Sequence, residues 1–143
     1  MALGAFISRL FGRSELPVHL ERGWLGELAA KKELQRGGMK FLTANFASKR
    51  GEIDLIFRDG DCLVFVEVKT RSSEEWARPS KAVDARKKRL ISQTAFDYLR
   101  LINNPEVPIR FDIVEVLMRE GKPQEIRHLR NAFTLTAPYR YGG

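Results

Sequence analysis

The spacing of apolar residues along the chain predicts one helix followed by a series of strands. From residue 21 to residue 36, apolar side chains recur every three or four positions, as on one side of a helix: Leu25, Leu28, Ala29 and Leu34. The Gly37-Gly38 pair that follows is a typical C-terminal stop. Residues 39–46 then predict a first strand, and residues 47–50 a polar loop.

Two strand-forming runs, residues 51–57 and 64–71, flank the turn sequence Arg58-Asp59-Gly60-Asp61. An Asp-Gly dipeptide suits a tight turn because glycine adopts positive φ without steric cost. The two runs therefore predict a β-hairpin. Acidic residues interrupt both runs, although the rest of each run is apolar enough for the interior of a sheet.

The register of this hairpin decides which acidic side chains meet. A two-residue loop at Gly60-Asp61 would place Asp54 opposite Glu67, whereas a loop one residue earlier would place Glu52 opposite Glu67. Since strand side chains alternate between the two faces, either register puts four charged side chains on the same face: Glu52, Asp54, Glu67 and Lys69.

Carboxylates that share one face of a hairpin repel one another. Directly opposed side chains have Cβ atoms roughly 4.5–5.5 Å apart, and like charges there destabilise a sheet. A Mg²⁺ or Mn²⁺ ion would offset the repulsion, since Mg²⁺ binds a few carboxylate oxygens and keeps several waters. Lys69 beside the ion would polarise an attacking water or stabilise charge on a phosphorus centre. Alternatively, Asp54 and Glu67 are neutralised by Lys69, Lys49 or Arg71 in a structural ion-pair network.

The rest of the chain predicts a loop, a long helix and a further strand. Residues 72–79 lack periodicity and end at a proline, which favours a loop. Ser80 suits the N-cap of a helix that ends near residues 103–105, with one apolar side: Ala82, Val83, Leu90, Ile91, Ala95, Tyr98, Leu99 and Ile102. Residues 110–118 predict a strand in which Asp112 is structural, and residues 132–135 a last packing element. This order of elements indicates an α/β domain with a mixed sheet flanked by helices.

Basic residues crowd the other side of the long predicted helix: Lys81, Arg86, Lys87, Lys88 and Arg89. They either follow a phosphate backbone close to the metal site, with Lys87 and Arg89 as the preferred contacts, or form a solvated helix face. Lys49 and Arg50 leave the same two alternatives open. Trp76 either stacks on a nucleobase or caps the core beneath its loop.

Composition agrees with one small domain and a polyanionic partner. The 143 residues, 43% of them hydrophobic, suffice for a single core. A net charge of +7 and a pI near 9.9 favour binding to phosphates. The single cysteine, Cys62, cannot form an intramolecular disulfide, which favours a reducing, cytoplasmic location.

The chain divides into three predicted parts. Residues 1–19 form an N-terminal extension, residues 20–136 the domain, and residues 137–143 a C-terminal tail. The apolar run in the extension is too short to span a bilayer, so no membrane partner is expected. An amphipathic surface helix in that extension is the alternative.

Two strings around the acidic positions resemble a family signature: Gly51-Glu52-Ile53-Asp54-Leu55-Ile56 and Phe65-Val66-Glu67-Val68-Lys69-Thr70-Arg71. They are similar to the YraN-like family of uncharacterised bacterial proteins, which is grouped with Holliday junction resolvases in the PD-(D/E)xK nuclease superfamily. The resemblance extends from about Leu20 to Phe133. A Glu-x-Lys after an Asp is a weak motif alone, but the combined string is specific.

This resemblance implies a restriction-endonuclease-like fold and a metal-dependent nuclease site. Asp54 and Glu67 match the metal-ligand positions of the superfamily, and Lys69 matches its catalytic lysine. Glu27 matches a helix carboxylate that some relatives use, and we expect Glu52 as a supporting ligand. The predicted function is therefore an Mg²⁺- or Mn²⁺-dependent endonuclease acting on DNA, with branched or structured DNA as a candidate substrate.

The alternative is a nucleic-acid-binding protein of the same fold that does not catalyse cleavage. In both cases we expect five basic residues to contact the nucleic acid: Lys49, Arg50, Arg71, Lys87 and Arg89. Junction-cutting relatives dimerise, because two symmetric cuts need two sites. A homodimer therefore stays open for this chain.

Overall fold

A computed structural model describes residues 18–78 and 84–134 as a mixed five-stranded sheet with helices on both faces. Its helices are α1 (Val18–Arg36), α2 (Ser73–Ala77) and α3 (Ala85–Leu101). Its strands are β1 (Lys40–Ser48), β2 (Gly51–Asp59), β3 (Cys62–Arg71), β4 (Ile109–Arg119) and β5 (Lys122–Phe133). The sheet confirms the predicted α/β class.

The strands lie side by side in chain order, β1-β2-β3-β4-β5. Strands β3 and β4 are parallel, and the other three pairs are antiparallel. A parallel pair needs a long crossover connection. The connection between β3 and β4 contains both α2 and α3.

Two apolar cores lie on opposite faces of the sheet. On one face, α1 packs Ala30 and Leu34 against buried strand residues that include Leu55, Phe57, Val64 and Val66. On the other face, α3 packs Ala95 and Leu99 against a second set that includes Ile56, Phe65 and Phe111. Because β2, β3 and β4 are covered on both faces, they read as nearly continuous apolar runs.

The two long helices differ from prediction mainly in where they begin. Helix α1 begins at Val18, three residues before the predicted start, and ends at Arg36 as predicted. Helix α3 begins at Ala85 with Asp84 as its N-cap, whose side chain accepts a hydrogen bond from a backbone N–H of the first turn. The predicted N-cap, Ser80, lies outside the described residues, and Asp84 takes that role for α3.

The buried side of α3 is also more polar than predicted. Leu90 and Ile102 are each 37% exposed, whereas Ser92 and Thr94 are fully buried. Both hydroxyls donate 2.7 Å hydrogen bonds to backbone carbonyls one turn earlier in the helix. Because the helix itself satisfies these donors, small polar side chains can occupy apolar positions.

The segment predicted as a loop contains the short helix α2. Ser72 accepts a hydrogen bond from the Glu75 N–H, and the Glu75 carboxylate accepts one from the Ser72 N–H. This reciprocal capping box starts a helical turn without any apolar periodicity. The serine and the glutamate three residues later were the sequence signal for it.

The last strand was not predicted as a strand: the sequence indicated only a packing element over residues 132–135, whereas β5 spans Lys122–Phe133. It is held to β4 partly through Asp112, which is 1% exposed. The Asp112 carboxylate accepts hydrogen bonds from Arg110 and from the Asn131 N–H, and it contacts Nε2 of His128 at 2.7 Å. The structural role predicted for Asp112 is confirmed.

Several predictions fall on residues 1–17, 79–83 and 135–143, which lie outside the described residues. They are most of the N-terminal extension, the apolar residues Ala82 and Val83, the basic residue Lys81, and the C-terminal tail. Among the described residues, no helix has the length and apolar character needed to cross a membrane.

Candidate active site

The hairpin of β2 and β3 adopts the first of the two predicted registers, with Gly60-Asp61 as its loop. Cα pairing of the two strands stops just before Asp54 and Glu67. At this point the Val68 N–H donates a 2.8 Å hydrogen bond to Oδ2 of Asp54 instead of to a strand carbonyl. The hairpin therefore opens where its two acidic residues meet.

The carboxylate of Glu67 is divided between two environments. Its Oε1 forms an ion pair with Nζ of Lys87, which lies on α3. Its Oε2 is buried and has no hydrogen-bond partner among the described residues. Because an unpartnered buried carboxylate oxygen is costly, Oε2 is an atom that a cation would stabilise.

Glu67 and Asp54 line a cavity of about 50 Å³. A water molecule occupies about 30 Å³ in the liquid, so the cavity has room for a small ion or a water. The lining combines charged and apolar residues from three elements: Glu52, Ile53, Asp54, Phe65, Val66, Glu67, Lys87 and Ile91. The structure thus brings three of the four residues predicted for one face into one cavity.

The carboxyl group of Asp54 in this cavity has a raised pKa. Burial raises its pKa to about 6, because an ionised carboxylate is poorly solvated there. The Val68 hydrogen bond lowers the pKa, the negative charges of Glu67 and Glu52 raise it further, and Lys87 lowers it. The predicted repulsion between the carboxylates is therefore present, although desolvation is the larger effect.

Helix α1 brings a further carboxylate to the cluster. Burial raises the pKa of Glu27 to about 7, and the charge of Asp54 is the next cause. Oε2 of Glu27 accepts a 3.3 Å hydrogen bond from Nδ2 of Asn45. The helix approaches closely because of Gly26, where an added Cβ would lie 2.4 Å from Cγ2 of Thr70. The structure therefore places Glu27 within electrostatic reach of Asp54.

Lys69 follows Glu67 by two residues on β3, and it is not among the residues that line the cavity. It pairs in register with Glu115 of the parallel neighbour β4. Partial burial lowers the pKa of Lys69, an effect that the nearby Glu67 carboxylate opposes and the Lys87 ammonium reinforces. An ammonium with a lowered pKa is a better proton donor than an exposed lysine.

The residues present fit a divalent cation. Within the part of the chain that the structure describes, Oε2 of Glu67 lacks a partner, and the pKa of Asp54 is raised by burial and by anionic neighbours. A cation would relieve both conditions. Within residues 18–78 and 84–134, no three Asp, Glu, His or Cys side chains form a metal-binding group by themselves. Mg²⁺ needs only one or two carboxylates and completes its shell with water or substrate phosphate.

The five basic residues predicted to contact nucleic acid fall into two groups. Lys49 and Arg89 are exposed. The other three form ion pairs within the chain: Arg50 with Asp97, Arg71 with Glu115 and Glu75, and Lys87 with Glu67. Lys87 therefore belongs to the cavity, and not only to a basic helix face.

Sequence reasoning missed a second charged group on the sheet. Glu115 is 1% exposed, accepts a 3.1 Å hydrogen bond from Nε of Arg71, and lies 3.5 Å from Nε of Arg127. The guanidinium of Arg127 stacks 3.7 Å from the ring centroid of Trp76. One face of Trp76 is thus covered by an arginine, and only the β3–β4–β5 pairing brings these residues together.

The mixed sheet with helices on both faces, and a site where the central hairpin opens, define an α/β protein with a restriction-endonuclease-like fold. A family model described as "Uncharacterised protein family UPF0102" matches residues 26–116. The chain belongs to this family, which confirms the resemblance drawn from the two motifs.

Relatives from several bacteria cover most of the chain. A "UPF0102 protein" of Pelotomaculum thermopropionicum is 38% identical over 112 residues, which are 78% of this chain and 93% of the relative. One from Porphyromonas gingivalis is 41% identical over 118 residues, covering 82% and 87%. One from Geobacter metallireducens is 41% identical over 113 residues, covering 79% and 92%.

Proposed function

We propose that the protein is a Mg²⁺- or Mn²⁺-dependent endonuclease that hydrolyses phosphodiester bonds in DNA, with branched or structured DNA as its candidate substrate. The observation that carries the proposal is the divided carboxylate of Glu67. One of its oxygens pairs with Lys87, and the other is buried beside Asp54, whose pKa is about 6, without a partner in residues 18–78 and 84–134. This combination favours a site built for a cation over a closed ion-pair network.

Asp54 and Glu67 would hold the ion, with Glu52 and Glu27 adding negative charge around it. When bound, Mg²⁺ or Mn²⁺ supplies Lewis acidity at a phosphoryl oxygen and lowers the pKa of a coordinated water. Lys69, two residues beyond Glu67, would donate a hydrogen bond to the nucleophile or to the phosphoryl oxygens as charge develops. Lys87 of α3 forms an ion pair with the other oxygen of Glu67.

The charge of the whole chain supports a DNA partner. A net charge of +7 coexists with the acidic cavity, so phosphates are attracted while the carboxylates stay available. The exposed residues Lys49 and Arg89 are the first candidates for phosphate contacts. We place this activity in the cytoplasm, and two symmetric cuts in a branched substrate would require a homodimer.

A non-catalytic DNA-binding protein is the second candidate, and one observation favours it. Lys87 already supplies a cation to Glu67, so part of the acidic charge is neutralised within the chain. A binder of this kind would show salt-dependent DNA affinity that does not depend on divalent metal or on Asp54.

The test is a cleavage assay of the purified protein with Mn²⁺ on duplex, single-stranded, flapped and branched DNA. We expect cutting of at least one substrate, and loss of cutting in Lys69→Ala and Asp54→Asn. Asp61→Asn is the matched control, because Asp61 is an exposed acid in the turn of the same hairpin. If the wild type and Lys69→Ala behave alike on every substrate, catalysis by this site is wrong.

A further inference from the structure

Asn45 has a left-handed backbone in the middle of a strand. Its φ is 54°, and it lies in β1 between Ala44 and Phe46, which pair with Leu55 and Ile53 of β2. That register puts Asn45 opposite Asp54. Non-glycine residues with positive φ are uncommon, and those inside functional sites often fix a special geometry.

The backbone conformation of Asn45 coincides with a change of face in both strands. Ala44 and Leu55 pack in the core beneath α1, whereas Phe46 and Ile53 pack in the core beneath α3. Residues two apart in a regular strand share a face. The β1–β2 ribbon therefore turns over at Asn45 and Asp54, which lets Asp54 interact with Glu67 in the cavity and also with Glu27 on α1.

The side chain of Asn45 is directed at the same cluster. Nδ2 donates to Oε2 of Glu27 at 3.3 Å, and Oδ1 is buried with no hydrogen-bond partner among the described residues. A buried amide that leaves one of its atoms unsatisfied gives up stability. The contact with Glu27 is the hydrogen bond that the Asn45 side chain makes in return.

We infer that Asn45 is a positioning residue of the candidate site. Its left-handed backbone turns the ribbon so that Asp54 faces both neighbouring carboxylates, and its amide fixes the carboxylate of Glu27 beside Asp54. The inference rests on the proposed cation site, and it adds a residue that contacts neither the cation nor the DNA. Residues that orient metal ligands commonly affect affinity by about 10- to 100-fold.

The test measures Mn²⁺ affinity by calorimetry on the intact protein without DNA. Asn45→Gly keeps positive φ but removes the amide, so we expect about a tenfold loss of Mn²⁺ affinity. Glu27→Gln should weaken binding similarly. The double variant should lose little more than either single variant, because the two residues act through one contact.

Asn131→Gly is the matched control. Asn131 also has positive φ, 50°, within a strand, but it lies on β5, where its N–H donates to Asp112. The Mn²⁺ affinity of Asn131→Gly should stay within about twofold of that of the wild type, since Asn131 orients no candidate ligand. Asn45→Ala isolates the backbone, because alanine disfavours positive φ; it should melt about 3–5 °C below Asn45→Gly.

The outcomes distinguish a failure of the role inferred for Asn45 from a failure of the proposed cation site. If Asn45→Gly binds Mn²⁺ as the wild type does, or if its loss multiplies with that of Glu27→Gln, the amide does not position Glu27. If Asn45→Ala melts with or above Asn45→Gly, the backbone part is wrong. If the wild type binds no Mn²⁺, or Asp54→Asn binds it equally well, the proposed cation site fails and the role of Asn45 fails with it.

Discussion

Lys87 in the first turn of α3 neutralises one oxygen of Glu67 on β3, while the other oxygen of that carboxylate is buried with no partner in the described parts of the chain. The N-cap Asp84 fixes the start of this turn by accepting a hydrogen bond from the Lys87 N–H at 2.8 Å. The ammonium is thus held beside the cavity by the helix that covers it. A cation on Oε2 and the ammonium on Oε1 would compete electrostatically for one carboxylate.

Lys87→Met should therefore bind Mn²⁺ more tightly at pH 8, by about two- to fivefold, because one repulsive charge is removed. Without metal, the same variant should be less stable, since Glu67 loses its counter-ion. Calorimetric titration and thermal unfolding with and without Mn²⁺ measure the two effects. Arg89→Met is the control, as Arg89 is exposed on the same helix. Weaker Mn²⁺ binding in Lys87→Met would show that Lys87 supports the site.

The raised pKa values predict how stability depends on pH. The pKa of Asp54 is raised from 3.8 to about 6 and that of Glu27 from 4.5 to about 7, mainly by burial. A group whose pKa is higher in the folded than in the unfolded state contributes stability that is fully present below the unfolded-state pKa. This stability is lost as the pH rises through the folded-state pKa. Ionisation of these two acids should therefore lower the stability of the metal-free protein as the pH rises from about 4 to about 7.

Asp54→Asn isolates this effect, because the amide cannot ionise. The variant should gain stability relative to the wild type as pH rises towards 7, and Mn²⁺ should stabilise the wild type increasingly over the same range. Urea unfolding at half-unit pH steps, with and without Mn²⁺, measures both differences. A constant difference between the wild type and Asp54→Asn from pH 5 to pH 8 would contradict the raised pKa.

Gly26 and Gly23 offer a matched pair on α1. An added Cβ at Gly26 would lie 2.4 Å from Cγ2 of Thr70, whereas one at Gly23 would meet no atom of the described residues within 4 Å. Gly26→Ala should destabilise the protein by about 1–3 kcal/mol through overpacking. Gly23→Ala should stabilise it by roughly 0.5–1 kcal/mol through helix propensity. Urea unfolding compares them, and equal effects would mean that α1 does not approach β3 as described.

Exposure separates the predicted DNA contacts. The double variant Lys49→Gln/Arg89→Gln should lower DNA affinity and reduce the slope of log K against log salt by about 1–2, because each phosphate contact releases counterions. Arg50→Gln should mainly reduce stability, since the Arg50 guanidinium Nε donates to Asp97 at 3.2 Å. Fluorescence anisotropy in EDTA at several salt concentrations measures this. An unchanged slope in the double variant would remove both residues from the DNA interface.

Asp112 of β4 should be much harder to replace than an exposed acid. Although burial alone would raise its pKa, the hydrogen bonds from His128 and Arg110 hold the pKa below its usual range. Asp112→Ala would leave those donors unpaired, so we expect a loss of about 3 kcal/mol. Asp61→Ala, in an exposed turn, should change stability by less than about 0.5 kcal/mol. Chemical denaturation compares the two, and similar values would contradict the structural role.

The sequence by itself was enough for the hairpin and the class of fold. Alternating strand residues around the Asp-Gly turn put Asp54 and Glu67 on one face of the hairpin in both possible registers, because side chains of adjacent strands alternate with a period of two residues. The apolar period in the same way located α1 and most of α3. These features depend on neighbours in the chain, which a pattern records directly.

Only the tertiary structure decided how the site is assembled. The pairing of Lys87 with Glu67 and the approach of Glu27 depend on where two helices cross the sheet, and no local pattern specifies those crossings. At Asn45, whose backbone is left-handed, the side chains of β1 and β2 change from one face of the sheet to the other, whereas strict alternation predicts no such change. The burial of Glu115 depends on the parallel pairing of β3 with β4 across a long connection. Packing between distant segments, and not local propensity, sets these charges and their solvation.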